Sequence, residues 1–330
     1  MNSARTGPVL VVVEHDRGTV APATWEAMTA ARSLAAQLQT GVDALTIGAA
    51  ADDLASELGA FGASTVHQAH DDMLGDYGPE AWGEVVAQAV RTLSPAAVLA
   101  TGTDRGNEVV AQAAARLDVP FCANAAEFRV GDAFEVTRVR WGGSLLEQAA
   151  VAAEVPLVTV AHHSFEPVPA TSAGDVTISP LAVTLDPSLA RTRVVARVER
   201  EAGVTLATAP VVVGGGRGVG SPEGFAPLQE LASELGGVVG CSRAVTNNGW
   251  RNHTDQVGQT GTRIAPDVYL ACGISGAIQH WVGAMASKHI IAINTDAQAN
   301  MVTKAGYAVI ADLHTMIPAI TEEIRRRRAG

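Results

Sequence analysis

The feature that most constrains this chain is alternation. Short runs of branched apolar residues recur along it, and alanine-rich stretches with helical character separate them. Residues 9–13 read as a buried strand. Residues 22–38 read as a helix, with proline in the first turn and a stop near Gly41. Strands predicted at 42–47, 65–68 and 97–101 alternate with helices at 51–58, 79–93 and 107–117. Such alternation implies a parallel sheet covered by helices on both faces. Between 128 and 160 the pattern changes to short β runs, such as residues 134–139, which predict an antiparallel extension. Residues 162–204, rich in Pro, Ser, Thr and Arg, read as a linker.

The alternation then begins again. A strand at 210–213 runs into Gly214-Gly-Gly-Arg-Gly-Val-Gly220, and a helix is predicted at 225–235. Strands at 238–241, 268–271, 289–293 and 307–310 follow, with helices at 277–285 and 315–328. The fold class is therefore α/β with two doubly wound domains, residues 1–204 and residues 205–330. A length of 330 residues accommodates two domains at roughly 150 residues each. No internal repeat and no low-complexity segment interrupts this reading.

Composition limits the function classes. With 47% hydrophobic and 17% charged residues the chain can bury a core and is not a disordered polymer. A net charge of −11 argues against a general nucleic-acid binder. No apolar run approaches the roughly 20 residues that span a bilayer. The N-terminal apolar run is too short for a signal-peptide core, and acidic Glu14 follows it. Cys122, Cys241 and Cys272 form no CxxC pair and are odd in number. A disulfide framework or structural zinc site is not expected, and a reducing cytoplasm fits.

The charge is uneven. Residues 1–204 hold 13 basic and 25 acidic side chains, whereas residues 205–330 hold 10 and 9. This fits an anionic ligand in the second half, or simply a solvated acidic surface on the first.

Ligands of doubly wound sheets bind at the carboxyl ends of the strands. In the second half those ends carry the chemistry. The glycine-rich turn at 214–220 lets backbone N–H groups approach a phosphate, and Arg217 adds a charge there. It lacks the third glycine of G-x-G-x-x-G, so a dinucleotide fingerprint of that type is not present; a tight strand–helix connection is the alternative. Gln256-Val-Gly-Gln-Thr-Gly261 has no apolar period and reads as a polar loop outside the core, suited to a planar heterocycle. Gly273-Ile-Ser-Gly-Ala-Ile-Gln-His280 opens a helix, with Ser275 as its expected N-cap, where negative charge is favoured. Three further features carry bland readings. Thr101-Gly-Thr-Asp-Arg-Gly106 is a polar strand–helix turn, and His162-His163 shows no acid or thiol partner for a metal site. The arginine run 325–328 reads as a solvated helix end.

Taken together, these residues resemble the electron transfer flavoprotein alpha subunit. The matching text is Gly215-Gly-Arg-Gly218, Gly240-Cys-Ser-Arg-Ala244, residues 256–261, Ala265-Pro-Asp-Val-Tyr269, residues 273–280, Ile291-Ala-Ile-Asn294 and Ala311-Asp-Leu313. Glu14-His-Asp and Thr29-Ala-Ala resemble the family's opening strand and helix, so the likeness covers essentially the whole chain. The family often carries Lys-Asp and then Ala-Pro-Ile-Phe after the asparagine; here the text is Thr295-Asp-Ala-Gln-Ala-Asn-Met-Val302.

The resemblance implies a nucleotide-binding-like N-terminal domain and a flavodoxin-like or Rossmann-like C-terminal domain that holds FAD. It implies a heterodimer with a beta subunit, electrons accepted from acyl-CoA dehydrogenases, and delivery to a membrane quinone oxidoreductase without membrane insertion. Carried residue by residue, it assigns FAD contacts to Arg217, Ser242, Arg243, Val257, Gly258, Gln259, Thr260, Ser275, Gly276, Ala277, Ile278, Gln279, His280, Asn294, Asp312 and Leu313. Arg243 matches an arginine over the flavin ring, Thr260 a hydroxyl near N5, and His280 a residue near the C2 carbonyl. Asn294 and Asp312 match the adenosine end. Reduced flavin gathers negative charge at N1 and the C2 carbonyl, so Arg243 and His280 are expected to favour the one-electron-reduced form as cation or donor. Two other classes fit less of the text: an electron-bifurcating relative that takes electrons from NADH, and an adenine-nucleotide-binding regulatory subunit. No acid–base or nucleophile constellation points to a substrate-transforming enzyme.

Overall fold

A computed structural model describes residues 6–171, 175–196 and 204–329. The chain divides into two compact units, Met1–Arg140 with Leu145–Val198 and Trp141–Ser144 with Glu199–Gly330.

The first unit begins with β1 (Val9–Val12), a short ribbon of β2 (His15–Asp16) and β3 (Thr19–Val20), and helix α1 (Pro22–Leu38). Then follow β4 (Val42–Ile47), α2 (Ala55–Ala60), β5 (Ala63–Ala69), α3 (Pro79–Leu93), β6 (Ala97–Thr101) and α4 (Asp104–Leu117). The remainder is β7 (Phe121–Val130), β8 (Phe134–Arg140), β9 (Leu145–Ala150), β10 (Leu157–Val160) and β11 (Thr177–Leu181). These strands form one sheet in the order β11-β5-β4-β1-β6-β10-β7-β8-β9. All pairs from β11 to β7 are parallel, and β8 and β9 add antiparallel, as the β runs predicted.

The unbroken apolar run of β1 follows from burial on both faces. Val9 and Val11 pack with α1 and α2, while Leu10 and Val12 pack with α3 and α4. Successive strand residues point to opposite faces, so a two-sided core requires every position to be apolar.

Several sequence expectations change here. The presumed linker is not structureless, because β11 lies inside it and pairs with β5 from Thr177↔Thr65 to Leu181↔Ala69. Its residues 172–174 and 197–203 lie outside the described residues. His162 and His163 do meet an acid: Glu26 of α1 approaches the His163 ring, with Oε1 3.6 Å from Nδ1. The link is tertiary, 137 residues apart in sequence, and invisible to local pattern. The turn after β6 is closed upon itself. The Thr101 and Thr103 hydroxyls both donate to the Glu14 carboxylate, and Thr103 Oγ1 also caps α4 by accepting from the Gly106 N–H at 3.0 Å.

The second unit contains β12 (Val211–Gly215), α5 (Ala226–Glu234), β13 (Val238–Cys241), α6 (Arg243–Asn247), β14 (Val268–Cys272) and α7 (Ile278–Ala284). It closes with β15 (His289–Asn294), α8 (Asn300–Lys304), β16 (Tyr307–Ile310) and α9 (Leu313–Ala329). Its five strands are all parallel, in the order β13-β12-β14-β15-β16. Counted from β12, this is the 2-1-3-4-5 order of flavodoxin-like sheets. One core lies under α5, α6 and α9, and a second lies under α7 and α8. The expected fold class, two doubly wound α/β domains, is what the chain adopts.

The three cysteines are free and buried, and burial pushes the Cys241 and Cys272 thiols up to about 12, which keeps them inert. The arginine run at the end of α9 is paired rather than bare: Arg325 meets Glu230 and Glu234, Arg328 meets Glu234, and Arg326 and Arg327 meet Glu323. No helix among the described residues is long and apolar enough to cross a membrane.

Candidate functional site

In a 2-1-3-4-5 sheet the chain leaves β12 toward one side and β14 toward the other, which opens a crevice between their carboxyl ends. That crevice is present in the second unit. A cavity of about 240 Å³ there is lined by Arg217, Ser242, Ser275 and Asn294, all anticipated from sequence. Gly218, Ala244, Gly273, Ile274, Asp296 and Ala299 complete its wall and were not anticipated. Gly218, Ala244, Gly273 and Ile274 lie within the recognised motifs, so a signal existed; Asp296 and Ala299 lie outside them.

The glycine-rich turn acts differently from the simple phosphate cradle. The Gly216 N–H donates to the Cys272 carbonyl at 2.9 Å, and the Gly218 N–H to the Gly273 carbonyl at 3.1 Å. A Cβ on Gly216 would stand 2.1 Å from the Gly273 oxygen. The glycines therefore let two strand-end turns touch, and their N–H groups are spent on that contact. Unspent donors lie opposite. The backbone N–H groups of Ser275, Gly276, Ala277 and Ile278 reach no acceptor among the described residues. Ser275 is not the N-cap of α7; Ala277 occupies that place with no side-chain cap. Gly276, at φ +76°, holds this open turn against the start of α8.

Cations frame the crevice. Arg217 lies in the turn after β12, and Arg243 opens α6 directly after Ser242. Both are exposed, and neither side chain has a hydrogen bond or ion pair among the described residues. At the rim, Asn294 Nδ2 donates to the Ile274 carbonyl at 3.1 Å. Asp312 caps α9, accepting from the His314 N–H at 2.9 Å, and Leu313 packs beneath, against Gly273. Neither Asp312 nor Leu313 lines the cavity.

The loop at 256–261 is half core, against the sequence expectation. Gln256 and Val257 are 1% exposed, and the Val257 N–H donates to the Cys241 carbonyl, so the segment runs beside β13. The Gln256 amide pins the rest: Oε1 accepts from the Thr246 hydroxyl at 2.7 Å, and Nε2 donates to Thr260 Oγ1 at 2.8 Å. Gln259 and Thr260 remain exposed. The Gln259 N–H donates to the Gln279 carbonyl at 2.7 Å, which ties the loop to α7.

His280 points inward from that helix and is 6% exposed. Burial pulls its pKa down to about 4, offset in part by the Val257 carbonyl. Its ring is therefore neutral at physiological pH and supplies no charge, which leaves the donor role of the two the sequence allowed for His280. Burial also raises the Tyr269 phenol well above its ordinary value, so it stays protonated. The phenol lies 2.8 Å from His280 Nε2, its one hydrogen-bond partner among the described residues; with the phenol as donor, the ring proton sits on Nδ1. Nδ1 is buried, and although the Val257 carbonyl lies near the ring, no acceptor among the described residues reaches Nδ1 at hydrogen-bond geometry.

Comparison with known proteins decides what such a site holds. Residues 205–285 match the family profile described as the electron transfer flavoprotein FAD-binding domain, and residues 9–186 match the electron transfer flavoprotein domain. The electron transfer flavoprotein subunit alpha of Bacillus subtilis is 34% identical over 322 residues, covering 96% of this chain and 97% of that protein. The chain belongs to the electron transfer flavoprotein alpha-subunit family. A probable mitochondrial alpha subunit of Caenorhabditis elegans is 36% identical over 322 residues, 97% of this chain and 94% of its own length. Protein FixB of Bradyrhizobium diazoefficiens is 35% identical over 329 residues, 97% of this chain and 89% of its own length.

The cofactor of this electron transfer flavoprotein chain is FAD, and the residues present suit it. N–H groups and two arginines without partners among the described residues match an anionic linker. The orphaned Nδ1 of His280 and the exposed loop donors match a heterocycle with several acceptors.

Proposed function

We propose that this chain pairs with an electron transfer flavoprotein beta subunit in the cytoplasm and holds one FAD, mainly through residues 205–330. The pair takes single electrons from acyl-CoA dehydrogenases and delivers them to a membrane quinone oxidoreductase. FAD supplies the redox chemistry; the chain binds, orients and biases it. Arg217, Ser242, Ser275 and the open turn at 276–277 receive the pyrophosphate. Asn294 and Asp312, with Leu313 beneath, receive the adenosine end. Val257, Gly258, Gln259 and Thr260, with Ile278, Gln279 and His280, receive the flavin end. Arg243 supplies positive charge beside the ring, and His280 offers a neutral Nδ1–H donor.

The observation that carries this reading is the coincidence of the FAD-domain match with a crevice whose turn N–H groups and arginines have no partner among the described residues. Co-expression with a beta subunit, followed by co-purification and a visible spectrum, tests it. A yellow heterodimer with one flavin, reduced by an acyl-CoA dehydrogenase with its substrate, is expected. A colourless heterodimer would overturn the reading. Two flavins per heterodimer with reduction by NADH would place the chain in the bifurcating class. An adenine nucleotide without flavin would indicate a regulatory subunit.

A further inference from the structure

Away from that crevice, the first unit gathers two imidazoles and a carboxylate. His162 and His163 form the turn that follows β10, and Glu26 reaches them from α1. One ligand-type atom from each of the three residues lies within 4.8 Å of the other two. His162 Nδ1 and His163 Nε2 are 2.8 Å apart, and their ring centroids are 4.1 Å apart, edge to face.

The backbone is shaped to produce this grouping. Consecutive residues of an extended chain point to opposite sides. His163 instead adopts φ +61°, the left-handed region that a non-glycine residue enters at a cost. Its N–H donates to Glu26 Oε2 at 2.6 Å, which fixes the carboxylate and leaves Oε1 toward the imidazole. Glu26 is 6% exposed, and no arginine or lysine pairs with it among the described residues. A buried carboxylate calls for a positive counterpart. The His163 side chain is 15% exposed, so the group is reachable from solvent.

We propose that Glu26, His162 and His163 form a binding site for one zinc-class divalent transition-metal ion. Two imidazoles and one carboxylate, with a fourth position left to water, are a donor set that zinc takes and that hard, oxygen-seeking calcium and magnesium do not prefer. Zinc bonds of roughly 2.0–2.2 Å place its ligand atoms about 3.3 Å apart, within the range these three residues span. The ion would fasten α1 to the β10 turn, remote in sequence from every FAD-contacting residue.

The test is zinc retention by the flavin-loaded heterodimer. Wild type, the variants E26Q and H162A, and the control H70A are each dialysed against micromolar Zn²⁺, and bound metal is counted by mass spectrometry. His70 already pairs with Asp52 and lies outside the cluster. Wild type and H70A are expected to hold one zinc per alpha chain, with affinity falling roughly tenfold or more in E26Q and H162A. Cobalt in place of zinc should give visible bands beyond the flavin absorption in wild type and H70A, and not in E26Q or H162A. Should E26Q fail to fold, H162Q carries the comparison. Wild type that holds no zinc, or E26Q and H162A that hold it as tightly, would overturn the site and leave a hydrogen-bonded cluster alone.

Discussion

At the residue scale, the proposed site gives Arg243 and His280 different electrostatic roles. Arg243 is exposed, directly after a cavity-lining serine, with no partner among the described residues. A unit charge near the ring stabilises added negative charge, and solvent screens part of it. Arg243→Ala should therefore retain FAD but lower its first reduction potential by on the order of 100 mV. Spectroelectrochemical titration of the heterodimer reads this directly, and an unshifted potential would dismiss the role. His280 contributes through its neutral state. The unfolded imidazole takes up a proton below its ordinary 6.5, whereas the folded one resists until about 4. The folded form thus binds fewer protons in that window, and stability falls as pH drops from 6.5 toward 4, then levels off. The loss amounts to roughly 3 kcal/mol. Denaturant melts at pH 7 and pH 4.5 check it: His280→Gln should flatten the acid limb, and an equally steep fall would contradict the assignment.

At the element scale, the proposed flavin end is built on a helix and a loop in backbone contact. A Cβ on Gly283 of α7 would lie 2.3 Å from the Gly258 Cα. Backbone on both sides leaves nothing soft to yield. Gly283→Ala should separate α7 from the 256–261 loop, cost about 1–3 kcal/mol, and release FAD during gel filtration. A variant that melts like wild type and stays yellow would show the contact to be dispensable. Elements of this length were legible in the sequence where a period repeats. The strand at 97–101 and the helices at 22–38 and 79–93 lie where apolar spacing predicts them. α6 and α8, five residues each, offer too few turns to show a period. β11 contains Pro180, which local rules count against a strand, yet at the sheet edge its missing N–H is harmless. At the site, motifs revealed the glycines and arginines. They did not reveal that Gly216 and Gly218 spend their N–H groups internally, nor that Gln256 is buried, because both depend on which turn lies opposite.

At the scale of the whole molecule, two alternating halves give two sheets, each with helices and a core on both faces. The glycine turn at 214–220 restarts the pattern and was sufficient to foresee the second sheet. The meeting of Glu26 with His163 was not foreseeable, since it depends on the path of α1 across the first sheet. Each unit buries its own apolar clusters, so each has the means to unfold as its own cooperative block. Every FAD-contacting residue proposed above lies in the second unit. Ligand binding stabilises only the block that holds it, by about 2.7 kcal/mol at a free concentration 100 times Kd. Differential scanning calorimetry of the isolated chain should then resolve two transitions, of which only one climbs as FAD is added. Urea unfolding followed by flavin fluorescence should track that same transition, while zinc at the Glu26 cluster should move the other. A single transition that shifts as one with either ligand would mean that the halves fold as one cooperative body, and the assignment of FAD binding to an autonomous second unit would fall.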